Sequence, residues 1–190
     1  MALPIICWGF ESAVVPRTLP CICEITAIMD HPSESTFDAF AAYRQAVADV
    51  LALAGQTIIV FDPDLGECGF EAPATLALLE AACQRSPRSD ALRIVLHDPD
   101  FVERDCPRLQ RFLCDYGHRA SLRISDPGSR SWTQPFIVVD GEHLVARFHP
   151  AWPRGKACLA MPSAVTRFST QFETLWLRGE NRAIGSPLGL

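Results

Sequence analysis

Lysine is almost absent. Of 17 basic residues in 190, Lys156 is the only lysine and the rest are arginines. Any motif that needs a lysine at a fixed offset therefore has one frame to sit in. Long apolar runs are missing too: nothing approaches the roughly 18 residues of a membrane-spanning helix, so no membrane is expected among the partners. The opening MALPIICWGFESAVVP has no basic stretch and is interrupted by Pro4, Glu11 and Pro16. It does not fit a secretory leader, and a cytoplasmic protein is expected. Positive charge is not in excess. A formal net charge of −5, with 22 acidic residues, gives no general attraction for nucleic acid or anionic lipid. No stripe of basic and aromatic residues alters that, and nucleic acid is not expected as a partner. Eight cysteines are present, yet Cys21-Ile22-Cys23 has no CxxC or second cluster to complete a zinc site. Neither a metal nor another cofactor is expected. GxSxG, P-loop, GxGxxG and HExxH patterns are all missing.

What the chain does have is the composition of a globular protein, 48% hydrophobic and 21% charged, at a length that suits one domain. Residues 1–36 carry four prolines and read as an irregular N-terminal arm with room for an edge strand. From Ser35 or Thr36, either of which can cap, Phe37, Phe40, Arg44, Val47, Leu51 and Ala54 recur at helical spacing, and Gly55 ends the helix. Thr57–Phe61 is apolar on both faces, as a buried parallel strand is, and runs into the turn Asp62-Pro63-Asp64-Leu65-Gly66.

Pro73 suits a first helical turn, and Leu76, Leu79 and Cys83 form the stripe of that helix. Leu92–His97 is a second buried strand, ending in His97-Asp98-Pro99-Asp100. Asp105 can cap a helix with Pro107 in its first turn and Leu109, Phe112, Leu113 and Tyr116 inward. Ala120–Ile124 is a third strand. Pro135–Val139 and Leu144–Phe148 form a hairpin about Asp140-Gly141, residues 149–156 are irregular, and Ser163 caps a last helix with the stripe Val165, Phe168, Phe172, Leu175 and Trp176. Residues 179–190 read as a tail. The expected fold is α/β: a mixed sheet with parallel strands plus a late antiparallel hairpin, helices on both faces, in a domain over residues 37–178.

The segments Leu92–Asp98, Leu109–Tyr116 with Gly117-His118, Phe136-Ile137-Val138-Val139-Asp140-Gly141 and Phe172-Glu173-Thr174-Leu175-Trp176 stand in an order that resembles one half of a phospholipase D superfamily member. The order also resembles that of a bacterial family built on this half-domain without the catalytic pair. The resemblance covers residues 37–178 and implies a site made around an HxKxxxxD signature. There a histidine attacks phosphorus and a lysine neutralises phosphate charge. Asp140 matches the signature's aspartate, but Thr133 stands at the histidine position and Pro135 at the lysine position. HxK cannot occur elsewhere, because the residue two before Lys156 is Arg154. The half-domain also implies a homodimer, since the superfamily builds its site from two halves.

Two other sites are open. Ligands of open α/β sheets bind beyond the carboxyl ends of the parallel strands, where this chain has Asp62 and His97-Asp98. They read as a hard-metal site made from carboxylates, as an acid–base set of a re-evolved phosphate-ester hydrolase, or, in the reading preferred here, as turn formers and caps. Arg93, Arg108, Arg147 and Arg154 read either as a pocket for a small anionic ligand or as solvated and ion-paired side chains. Trp132 and Trp152 flank the hairpin and are placed to line a pocket or an interface. The first expectation is a catalytically degenerate domain that binds or dimerises; the alternative is the hydrolase.

Overall fold

The computed structural model describes residues 31–182. Most of the expected N-terminal arm, with Cys21 and Cys23, and the end of the expected tail lie outside the described residues. Within them the chain forms eight strands and five helices. The strands are β1 (Ser33–Phe37), β2 (Ile58–Phe61), β3 (Leu92–Leu96), β4 (Ala120–Ile124), β5 (Phe136–Val139), β6 (His143–Arg147), β7 (Gly155–Leu159) and β8 (Glu180–Asn181). The helices are α1 (Phe40–Leu53), α2 (Pro73–Arg85), α3 (Asp100–Asp105), α4 (Pro107–Asp115) and α5 (Pro162–Arg178).

All strands join one sheet in the order β1-β7-β6-β5-β2-β3-β4-β8. β2, β3 and β4 run parallel, and every other neighbouring pair is antiparallel. Strand pleating decides which residue meets which layer. Along β2, Ile58 and Val60 pack with Val47, Leu51, Leu79 and Leu109 from α1, α2 and α4. Ile59 and Phe61 point the other way, onto Phe168, Phe172 and Leu175 of α5. The mixed sheet with helices on both faces is therefore as the alternating pattern predicts. None of the described helices is long and apolar enough to cross a membrane.

Several local expectations are corrected. Ser35 and Thr36 are not helix caps: they lie in β1, and α1 begins at Phe40 after Ala39. Asp105 is the last residue of α3, and the residue before α4 is Cys106, with no side-chain cap. Ser163 lies inside α5, which starts at Pro162. Proline at the first helical position stands in both places, where its fixed φ and missing N–H cost nothing. The stretch 149–156 is not wholly irregular, because Gly155 and Lys156 open β7, which pairs with β6 and β1. Glu180 and Asn181, expected in the tail, add a short strand to β4. Gly155 lies where backbone and ring approach most closely: a Cβ there would meet the Ala146 carbonyl oxygen and come within 2.6 Å of the Phe37 ring.

Candidate functional site

The register places three residues side by side at one end of the sheet. Phe61 on β2 pairs with Phe136 on β5, and Phe136 pairs with Ala146 on β6. The next residues outward are Asp62, Pro135 and Arg147, with the Arg147 N–H donating to the Pro135 carbonyl at 3.1 Å. Pro135, which stands at the signature's lysine position, thus lies between an acid and a base, and those two have found each other. Arg147 Nη2 donates to Asp62 Oδ2 at 2.8 Å, with both side chains only 1% exposed. Its other terminal nitrogen, Nη1, donates to the Pro150 carbonyl at 2.6 Å. Asp62 Oδ1 accepts the backbone N–H groups of Asp64 and Leu65, and Oδ2 also accepts the Cys68 thiol at 3.3 Å. Tyr43 of α1 completes the cluster: its hydroxyl lies 3.2 Å from the Cys68 sulfur, and the Arg147 guanidinium sits 4.9 Å from its ring centre. Thr133, at the histidine position, is exposed.

Burial dominates the electrostatics of this cluster. Desolvation pushes the Asp62 carboxyl above its ordinary value, against the pull of Arg147, the backbone donors and the thiol. It works against the Arg147 charge as well, but the Asp62 carboxylate beside it holds the guanidinium above its usual value. Desolvation also raises the Tyr43 hydroxyl and the Cys68 thiol well above their usual ranges, and Cys83, in the core toward the other end of the sheet, is pushed up to about 11. An acid whose folded pKa exceeds its unfolded one favours folding below the unfolded value and loses that contribution as pH climbs toward the folded one. Unfolded thiols ionise near about 8.5 and tyrosines near about 10, so folding stability should fall progressively as pH rises past 8.5. Urea unfolding midpoints between neutral and strongly alkaline pH measure this. The fall should be shallower in a Tyr43→Phe, Cys68→Ala double variant, and an equally steep fall there would contradict this account.

The structure does not bring the proposed acid–base set together. His97 lies on the other face of the sheet from Asp62, because each follows a strand at a different phase of the pleat. Its ring meets Phe61 edge-on at 5.0 Å, on the α5 side. Its Nε2 lies 2.7 Å from the Trp132 carbonyl and its Nδ1 2.5 Å from Ser125 Oγ. A carbonyl only accepts, so Nε2 carries a proton, and in the neutral ring Nδ1 accepts from the serine. Asp98 is exposed and caps the backbone N–H of Asp100 at 2.9 Å. His97 and Asp98 share a cavity of about 340 Å³ with Arg130 and Arg182.

The four arginines do not converge either. Arg93 forks onto Glu173 at 2.7 and 3.2 Å and lies over the rings of Phe172 and Trp176. Arg108 meets Glu71 at 3.4 Å on the opposite layer. Arg147 is the buried partner of Asp62, and Arg154 is exposed on the β6–β7 loop. Asp140 is held in the left-handed region, φ 54°, beside Gly141 at 73°, as a type I′ turn requires. Its carboxylate accepts the backbone N–H groups of Gly55, Gln56 and Thr57 at 2.7–2.8 Å. Sequence reasoning missed Tyr43, Cys68 and Ser125. Tyr43 had a signal, since it precedes Val47 by one helical turn; Cys68 and Ser125 lie in loops, where no periodicity marks an inward side chain.

The sheet order and the two helical layers make a phospholipase-D-like fold. Residues 39–183 match the family described as Domain of unknown function (DUF7931), and the chain belongs to it. Among solved structures it is similar to Nuc of Salmonella typhimurium, a phospholipase D family member. That likeness has a TM-score of 0.59 and 16% identity, over 80% of this chain and 99% of that one. NucT of Helicobacter pylori matches with a TM-score of 0.54 and 8% identity, over 80% of this chain and all of that one. TrmBL2, an archaeal chromatin protein whose structure shows a mode of DNA binding, matches with a TM-score of 0.59 and 15% identity, over 85% of this chain and 59% of that one. At these identities the likeness is one of fold. No curated protein matches the chain.

Proposed function

We propose that the chain is a catalytically degenerate phospholipase-D-like domain that acts as a binding or dimerisation module in the bacterial cytoplasm. The observation that carries this reading is the replacement of the signature. Thr133 and Pro135 offer neither a nucleophilic imidazole nor an amine, and the buried Asp62–Arg147 pair fills the ground beside them. A guanidinium bound to a carboxylate and a carbonyl is not free to receive a phosphate. Neutralising −5 of net charge falls to local patches, so a small anionic ligand would need one of the exposed arginines, and nucleic acid remains disfavoured.

The alternative reading is a phosphate-ester hydrolase using His97, Asp98 and Asp62 with arginines. The cavity that His97 and Asp98 share with Arg130 and Arg182 favours it; the placement of Asp62 on the opposite face of the sheet weighs against it. The test is turnover of chromogenic phosphomonoesters and phosphodiesters, with and without divalent cations. The degenerate reading expects rates equal to those of buffer. Turnover that disappears in His97→Ala and in Asp98→Ala would replace it with the hydrolase.

A further inference from the structure

The residue after each parallel strand is polar: Asp62 after β2, His97 after β3 and Ser125 after β4. Asp62 has a structural duty, since it accepts the backbone N–H groups of Asp64 and Leu65. Asp98 and Asp126, in the turns that follow the other two strands, likewise accept backbone N–H groups. The side chains of His97 and Ser125 hold no backbone N–H. Among the described residues the Ser125 hydroxyl meets only the His97 ring, and the ring meets that hydroxyl and the Trp132 carbonyl. The Ser125 N–H is already bonded to the Leu96 carbonyl at 2.8 Å, so the turn does not need the hydroxyl.

The register of β3 and β4 sets Leu96 opposite Ile124, and the next residues, His97 and Ser125, emerge side by side. Ser125 Oγ lies 2.5 Å from His97 Nδ1, the reach of a nucleophile and its base. The Trp132 carbonyl, 2.7 Å from Nε2, can only accept, which leaves Nδ1 of the neutral ring to take the serine proton. A hydroxyl, a base facing it and a third group that fixes the tautomer are the parts of an acyl-transfer triad, known by geometry and not by position in the chain. The pair is 5% and 9% exposed, beyond the carboxyl ends of two parallel strands, where open sheets bind ligands. His97 and Ile124 line the cavity of about 340 Å³ together with Arg130. Arg130 is exposed and forms no ion pair among the described residues.

We infer that Ser125 and His97 are the nucleophile and general base of a hydrolase for small carboxylic esters, with this cavity as the approach and Arg130 as the cation for a carboxylate on the substrate. Ser125 Oγ adds to the ester carbon while its proton passes to His97 Nδ1. The bond to the alcohol oxygen breaks, and the alcohol leaves with that proton. Water, deprotonated by the same nitrogen, attacks the acyl-serine; the acid departs and the proton returns to Ser125 Oγ. Loss of the phospholipase D signature leaves this pair untouched, because it uses neither Thr133 nor Pro135. An activity on carbon esters goes beyond the module reading and stands apart from binding and dimerisation.

A carbonyl carries less negative charge than the carboxylate of a full triad, so turnover should be slow, and covalent capture of the serine is the sharper measurement. The full chain should take up a fluorophosphonate on Ser125 when folded and not after unfolding in urea, as peptide mass analysis reads. A serine that serves structure alone would be unlabelled in both states, and this comparison needs no variant. Hydrolysis of para-nitrophenyl acetate should exceed the buffer rate, vanish in Ser125→Ala and fall about a hundredfold or more in His97→Gln. Arg130→Gln should raise KM for the para-nitrophenyl monoester of succinate and leave KM for the acetate unchanged; an equal effect on both would overturn the role of Arg130. Carboxylic-ester turnover with phosphate esters left at buffer rates supports this pair and the degenerate reading together. Folded wild type unlabelled at Ser125, or hydrolysis that persists in Ser125→Ala, would overturn the ester site and leave the module reading as it stands.

Discussion

Asp62→Asn should cost about 3–5 kcal/mol of folding stability, the loss seen when one member of a buried ion pair is removed and the other is stranded. The amide keeps an oxygen for the backbone N–H groups of Asp64 and Leu65, so the turn after β2 survives. What it cannot do is answer the Arg147 charge, which is 1% exposed and has no second carboxylate among the described residues. The Arg147 Nε is already buried without a partner, so the guanidinium has no spare satisfaction to fall back on. Adding Arg147→Met should return most of the loss, because a buried pair replaced by apolar volume is often neutral or better.

Arg147→Met alone separates the two contributions by pH. Burial has already raised the Asp62 carboxyl against the pull of Arg147, and removing that cation raises it further. With the folded value above the unfolded one, this group favours folding below about pH 4 and loses that contribution as pH rises. The single variant should therefore be closer to wild type in urea unfolding at pH 5 than at pH 7.5. A loss below about 1 kcal/mol in Asp62→Asn, the range of exposed pairs, would show that the pair is solvated in solution and that the ground beside Pro135 is open.

That pair also marks how far the sequence could be read. The parallel strands β2 and β3 were legible because residues buried on both faces leave continuous apolar runs, and α5 because its stripe has a helical period. β7 was hidden by the breakers ahead of it, Trp152-Pro153-Arg154-Gly155, although Ala157-Cys158 is apolar on both faces, as a strand covered on both sides is. β1 reads Ser-Glu-Ser-Thr, with no inward apolar residue before Phe37, since an edge strand that buries only its last residue need not alternate. Asp62 and Arg147 were both singled out, one as an acid and one as an anion ligand, and their union was invisible. They are 85 residues apart, and only the antiparallel insertion of β5 between β2 and β6 sets them at one sheet end. His97 and Asp62 looked like neighbours because both end parallel strands; the pleat sends them to opposite faces, a parity that a boundary error of one residue reverses.

Asp140→Ala should be the second most damaging of these changes, and it answers why a chain without the rest of the signature keeps this residue. Two costs combine. The carboxylate accepts from Gly55, Gln56 and Thr57, tying the hairpin to the loop between α1 and β2, and hydrogen bonds to a charged group contribute about 1.5–3 kcal/mol. The backbone at φ 54° is one that aspartate, asparagine and glycine visit and that costs alanine about 1–2 kcal/mol. Alanine should therefore lose about 3 kcal/mol or more in chemical unfolding when both terms apply. Glycine, which relieves the backbone but makes no bonds, should fall between alanine and wild type. Asparagine should be mildest, since it tolerates the conformation and keeps one oxygen for Gln56 and Thr57 while turning an amide toward the Gly55 N–H. If glycine proved as stable as wild type, the three hydrogen bonds would carry nothing and the turn conformation alone would explain the residue. The order alanine, glycine, asparagine would instead place Asp140 as the clamp between the hairpin and the sheet centre, a structural duty that needs no chemistry at Thr133 or Pro135.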